Sequence, residues 1–157
     1  MRAWYGVLAS LAFCGATALA GEHDKAIGAQ WTWLATRSSS GAGDLLDIAF
    51  HADLPAGWIL YSSDFTADLG PRPASFKFEE SSSYAPLGPV RAAHSRHRVD
   101  KTWGTTYTYF EKAAEFHQTI RLLTVTDRIA GHIDGQLCQE TNGTCTLFSQ
   151  PFVVALH

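Results

Sequence analysis

Apolar and polar residues alternate with period two along most of the chain, the spacing that puts successive side chains on opposite faces of a strand. Leu45 to Asp53 shows it most clearly, with Leu46, Ile48, Phe50 and Ala52 set against Asp47, Ala49 and His51. Trp31 to Arg37 and Ser75 to Glu79 alternate in the same way. Trp58 to Tyr61 predicts a short strand after the turn Pro55-Ala56-Gly57. Thr105 to Phe110 and Phe116 to Thr126 are rich in β-branched and aromatic residues and predict a hairpin turning at Glu111 to Glu115. Arg128 to Leu137 and Thr146 to Leu156 predict the last two strands. Tyr84 to Val90 holds Pro86 and Pro89, so it is expected at a sheet edge or as an irregular crossing, because proline cannot donate to a central ladder. Ser38 to Gly43 reads as a loop, and Ser62 to Pro73 as a loop stiffened by Gly70-Pro71-Arg72-Pro73. Arg91 to Trp103 is basic, contains histidines and has no period. No window carries a 3.6-residue stripe. Many short strands with regular turn signals predict one all-β sandwich domain.

The N-terminus changes where that domain is expected to begin. Arg2 precedes an apolar, uncharged run from Trp4 to Ala16, and Ala18-Leu19-Ala20 is an A-x-A cleavage site. Residues 1–20 are therefore read as a secretory signal peptide, too short for a membrane span, with Gly21 as the mature start. Residues 21–30 are polar and expected to be a mobile lead-in, with the domain over 31–157. Cys14 falls inside the discarded segment; Phe13 before it is bulky where a lipidation site wants a small residue. No other stretch is long and apolar enough to cross a bilayer. Without Arg2, eleven basic residues face 15 acidic ones, which gives no footprint for nucleic acid or an anionic membrane.

Two cysteines remain after cleavage, Cys138 and Cys145, on either side of Asn142-Gly143. Asn-Gly between apolar and β-branched residues is a turn signal, since both residues tolerate positive φ. The pair is expected on facing arms of a tight turn, bonded in an oxidising compartment. Closing so short a loop stabilises by only about 2.5 kcal/mol in the chain-entropy model, a modest return for a staple. A short bridge beside a turn also suits thiol–disulfide exchange. Spacing leaves both readings open, with the structural one as the default for a secreted chain, and the missing C-x-x-C argues against a thioredoxin-type site.

Other chemistry is thinner. His94 and His97, with His117 and His132 elsewhere, fall short of a convergent metal set and read as solvated histidines. Glu79 and Glu80 are strand neighbours pointing to opposite faces, so they form no acid–base pair. There is no G-x-S-x-G elbow and no phosphate-binding glycine loop. Tyr61, Trp58, Trp103, Tyr107 and Tyr109 offer either an aromatic binding face or ordinary cross-strand packing, the second being the default.

Four segments in order carry a family resemblance: Ala52 to Ser62 (A-D-L-P-A-G-W-I-L-Y-S), Gly70 to Phe78 (G-P-R-P-A-S-F-K-F), Tyr107 to Phe116 (Y-T-Y-F-E-K-A-A-E-F), and Gly131 to Phe148 around the cysteines. Together they resemble the N-terminal periplasmic domain of the thiol:disulfide interchange protein DsbD, the disulfide bond corrector family. The resemblance implies an immunoglobulin-like β-sandwich in the periplasm with a reversible, redox-active disulfide and no cofactor. It implies that Cys145 forms the mixed disulfide with partners and that Cys138 resolves it. It assigns a shielding cap loop to Asp100, Lys101, Thr102, Trp103 and Gly104, with Trp103 as the covering ring, and places Tyr61 beside the site. Asp100, by its charge, is expected to raise the thiol pKa of the pair. The implied partners are a membrane-embedded or thioredoxin-like electron donor and periplasmic thiol–disulfide proteins. Segments resembling the membrane and thioredoxin-like domains of longer relatives do not occur here, so electrons are expected from separate partners. One departure stands out: many relatives carry prolines after the second cysteine, where this chain has Thr146-Leu147-Phe148. The alternative, from another class, is a secreted protein-binding sandwich with a purely structural disulfide.

Overall fold

The computed structural model describes residues 28–38, 44–66, 70–101 and 104–156. The expected signal peptide, Cys14, Thr102 and Trp103 lie outside the described residues. Among the described residues the ten elements are all strands: β1 (Gln30–Ser38), β2 (Leu45–Asp53), β3 (Trp58–Tyr61), β4 (Ser75–Phe78), β5 (Tyr84–Ala93), β6 (Arg96–Asp100), β7 (Thr105–Glu111), β8 (Ala113–Leu122), β9 (Arg128–Gln139) and β10 (Cys145–Ala155). One sheet has the order β1-β2-β8-β5 and the other β10-β9-β3-β7-β6, with β4 also paired to β9. The two antiparallel sheets form the expected all-β, immunoglobulin-like sandwich.

The alternation in β2 is realised residue by residue, with Leu46, Ile48, Phe50 and Ala52 buried and the intervening positions facing outward. Phe116 and Ile120 of β8 join them, facing Leu60, Phe110, Ile129, Ile133, Leu137 and Phe152 of the second sheet. Phe50 lies 5.0 Å from Phe152 and 5.1 Å from Phe76, at the tilted and edge-on geometries that the ring quadrupole favours. Gly131 lets β9 carry this packing. A Cβ there would stand 2.2 Å from the Lys77 carbonyl oxygen and 2.6 Å from the Phe152 ring.

The predicted hairpin of Thr105–Phe110 with Phe116–Thr126 does not form. β7 pairs with β3 and β6 in one sheet, while β8 pairs with β2 and β5 in the other. The chain changes sheets at Lys112, whose φ of 68° makes the corner. Phe110 and Phe116 then meet across the core at 5.1 Å. Period-two alternation tells which residues face inward, but is the same for neighbours in one sheet and for facing strands in two.

The aperiodic segment from Arg91 also holds structure, for β5 runs on to Ala93 and β6 pairs with β7. β6 is an edge strand whose residues are all exposed or half-buried, so no apolar face marks it in the sequence. The edge reading of Tyr84–Val90 holds. β5 ends the first sheet, and its register with β8 shifts between Leu87 and Arg91, around Pro89 and the positive-φ Gly88. The side chain of the buried Gln118 donates to the Leu87 carbonyl at 3.2 Å and to the Thr119 carbonyl at 2.8 Å, so its own amide is satisfied beside the irregularity.

His117, on the outward face of β8, lies 2.8 Å from Asp47 and 2.8 Å from Glu115. Those two carboxylates raise its pKa above the ordinary 6.5. A raised folded-state pKa contributes stability that is complete below the unfolded value and fades as pH climbs through the folded one. Urea unfolding of the wild type should therefore lose stability relative to His117→Gln as pH rises above the ordinary histidine range. Parallel pH profiles for the two proteins would refute the coupling.

Candidate redox-active disulfide site

The cysteines sit on the β9–β10 hairpin. Its register sets Cys145 directly opposite Cys138, with their Cα atoms 4.1 Å apart and the sulfurs bonded. The Gln139 amide donates to the Thr144 carbonyl at 2.8 Å, so the adjacent cysteine pair takes a non-hydrogen-bonded position, where facing side chains come closest. The tight turn expected at Asn142-Gly143 joins the two arms. Only Gly143 has a positive φ, 74°. The Gly143 amide donates to the Gln139 carbonyl at 2.9 Å, and Asn142 spends its side chain on the Thr144 amide, also at 2.9 Å. After Cys145, the proline-free Thr146-Leu147-Phe148 continues as regular ladder, and Phe148 packs over Gly135.

The two sulfurs have unlike surroundings. Cys138 is 4% exposed, whereas Cys145 is exposed at the start of an edge strand. Leu137 points into the inter-sheet core, so Cys138 points out of the opposite face of its sheet. A second apolar cluster covers it there, made of Ile59, Tyr61, Tyr107 and Tyr109 with Phe65 against them. Tyr61 and Tyr107 stack edge-on at 5.1 Å, and Tyr107 meets Tyr109 at 6.0 Å. The aromatic group anticipated from the sequence thus divides. Tyr61, Tyr107 and Tyr109 gather around Cys138, while Trp58 packs against the main core.

Asp64, beside Phe65 in the chain, accepts hydrogen bonds from Thr108 and from the Ser95 hydroxyl at 3.0 Å. Burial works to raise the Asp64 pKa, but those donors outweigh it and the pKa is lowered. On the other side, Arg98 donates to Glu140 at 2.7 Å and to the Tyr109 hydroxyl at 2.9 Å, with its guanidinium 4.3 Å from the Tyr109 ring centre. Glu140, two residues past Cys138, is thereby tied to β6. The hydrogen bond to Glu140 in turn raises the Arg98 pKa further.

Of the expected cap, Asp100 closes β6 opposite Thr105, and Lys101 and the positive-φ Gly104 follow in the connecting turn. Thr102 and Trp103 lie outside the described residues. Tyr61 connects these parts. Burial first, and then Tyr107, push its pKa up to about 12, Arg98 opposes, and Asp100 and Glu140 add to the rise. Tyr61, Asp100, Arg98 and Glu140 therefore share one electrostatic neighbourhood. Arg98, Glu140, Asp64, Phe65 and Gln136 were missed in the sequence. For Arg98 the only signal was its two-residue spacing from Arg96 and Asp100. Among the described residues no three His, Cys, Asp or Glu side chains converge as a metal site would require.

Fold and site together define a β-sandwich built around a cross-strand disulfide with one covered and one open sulfur. The chain belongs to the family described as "Thiol:disulfide interchange protein DsbD, N-terminal", whose model matches residues 32–156. It is similar in fold to the N-terminal periplasmic domain of ScsB from Proteus mirabilis, with 15% identity and a TM-score of 0.57 over 82% of this chain. The chain spans about half of that one, 46%. The reduced DsbD N-terminal domain of Neisseria meningitidis aligns at 12% identity and a TM-score of 0.46, over 80% of this chain and 86% of that one. No curated protein matches the chain. Among the described residues no helix is long and apolar enough to cross a membrane.

Proposed function

We propose that this chain is a periplasmic thiol–disulfide exchange domain, delivered by the signal peptide at residues 1–20. It relays electrons from a membrane-embedded or thioredoxin-like donor to envelope thiol proteins. The observation that carries this reading is the asymmetry of the pair, with Cys145 exposed and Cys138 only 4% exposed. A donor thiolate attacks the Cys145 Sγ in line with the disulfide, and that bond breaks with its electron pair leaving on Cys138. The donor's second thiolate then attacks the mixed disulfide and releases Cys145. The donor has lost two electrons, and the pair has gained them and takes up two protons. Run backwards on an acceptor disulfide, Cys145 forms the mixed disulfide and Cys138 resolves it.

The surroundings favour this use. Leu147, 61% exposed, faces outward two residues from Cys145 and offers apolar contact to a partner. The turn from Asp100 to Gly104, with Trp103, serves as the cap over the reduced pair, and the charge of Asp100 restrains an idle thiolate by raising its pKa. A redox titration against glutathione and dithiothreitol tests the proposal. A midpoint between about −120 and −270 mV is expected, and one below about −300 mV would return the disulfide to a structural role.

A further inference from the structure

Resting on that reading, we infer that Gln136 is a positioning residue that stabilises the Cys138 thiolate, and that the Gly70-Pro71-Arg72-Pro73 loop exists in part to orient it. Gln136 and Cys138 are two residues apart on β9 and so share the outward face. The Gln136 Nε2 donates to the Cys138 Sγ at 3.3 Å. Its Oε1 accepts from the backbone amide of Arg72 at 2.9 Å. The second bond decides the first. With the oxygen held by a backbone donor, the amide has one orientation left, and its N–H must face the sulfur.

The loop supplies that donor with little freedom to withhold it. Pro71 and Pro73 have no N–H, so Arg72 carries the only backbone donor of the three residues. A residue before proline is steered to extended conformations, which restricts Arg72, while Gly70 enters the loop at a positive φ of 125° that glycine alone adopts readily. Arg72 itself is exposed, so its side chain is not what the loop presents to the site.

A disulfide sulfur is a weak acceptor and a thiolate a strong one, so the bond from Gln136 strengthens when electrons arrive. When an incoming thiolate bonds to the Cys145 Sγ, the Cys138–Cys145 bond breaks and its electron pair stays on Cys138, at the atom facing Nε2. No proton needs to move in that step. Cys138 is covered by Ile59 and Tyr61 and has little access to water, so this donor replaces solvation that the leaving group would otherwise lack. Lower leaving-group pKa means faster departure.

Two variants test this. Gln136→Leu removes both bonds at similar size. Gln136→Glu keeps an acceptor for the Arg72 amide and turns a carboxylate oxygen towards the sulfur. In the Cys145→Ser background, the Cys138 pKa, followed by thiolate absorbance, should rise by about one unit in Gln136→Leu and by more in Gln136→Glu. With both cysteines present, reduction by dithiothreitol should slow by about threefold or more in each variant. An unchanged Cys138 pKa and unchanged reduction rate in both variants overturn the assignment, as does a pKa that rises in Gln136→Leu but not in Gln136→Glu. Failure of the exchange reading looks different, because there the wild-type disulfide itself resists thioredoxin-like reductants whatever occupies position 136.

Discussion

A Cys138→Ser variant accumulates mixed disulfides with envelope proteins through Cys145, and Cys145→Ser accumulates none. The expectation follows from access. Attack on or by a sulfur requires an in-line approach, which the exposed Cys145 permits and which Ile59, Tyr61, Tyr107 and Tyr109 deny to Cys138. In Cys138→Ser the resolving thiol is gone, so each adduct persists until a second external thiol arrives. Acid quenching, alkylation and non-reducing electrophoresis of envelope extracts should show at least roughly tenfold more adduct for Cys138→Ser than for Cys145→Ser. Equal ladders from both variants would contradict the assigned roles, and ladders from neither would remove most support for exchange. The trapped proteins would also identify the donor and acceptors by their masses.

Phe50→Ala should be the most damaging substitution in the core. Phe50 is fully buried and packs against Phe76, Phe78 and Phe152 at 5.1, 6.3 and 5.0 Å. Three of these rings come from the sheet that carries the disulfide and one from the sheet behind it, so the cavity would open between the layers. Large-to-small changes of this kind cost about 3–5 kcal/mol. For a domain of this size that is a fall in Tm of roughly 10–15 °C, measured on the oxidised protein. A loss of only a degree or two would mean that the neighbouring rings collapse into the space and that the two sheets are less rigidly keyed than their aromatic contacts indicate.

How far the sequence could be read varied with burial. β2 and β3 were legible to the residue, β2 because it presents a clean apolar face to the core and β3 because its short apolar run is buried on both faces. β6 was illegible for the opposite reason. It lies at an edge, none of its side chains is buried, and its conformation is held by backbone pairing with β7 that no side-chain pattern records. The same blindness hid Arg98, whose value lies in reaching Tyr109 and Glu140, 11 and 42 residues away. The hairpin expected for β7 and β8 failed at Lys112, where a sharp corner looks like any other polar turn.

The site followed a similar division. Asn142-Gly143 marked the turn, and the cysteine count marked the bond, yet Gly143 alone takes the left-handed conformation because Asn142 can answer the Thr144 amide with its side chain. Local chemistry by itself thus determined an all-β chain, its inward-facing residues and a disulfide across a turn, since periodicity, turn propensity and cysteine pairing act over a few residues. Which sulfur is covered, what covers it, and which amide faces it were decided only when β3, β6, β7 and the Gly70–Pro73 loop arrived from distant parts of the chain. Those contacts depend on how two sheets stack and twist, a property of the whole fold that no segment carries alone.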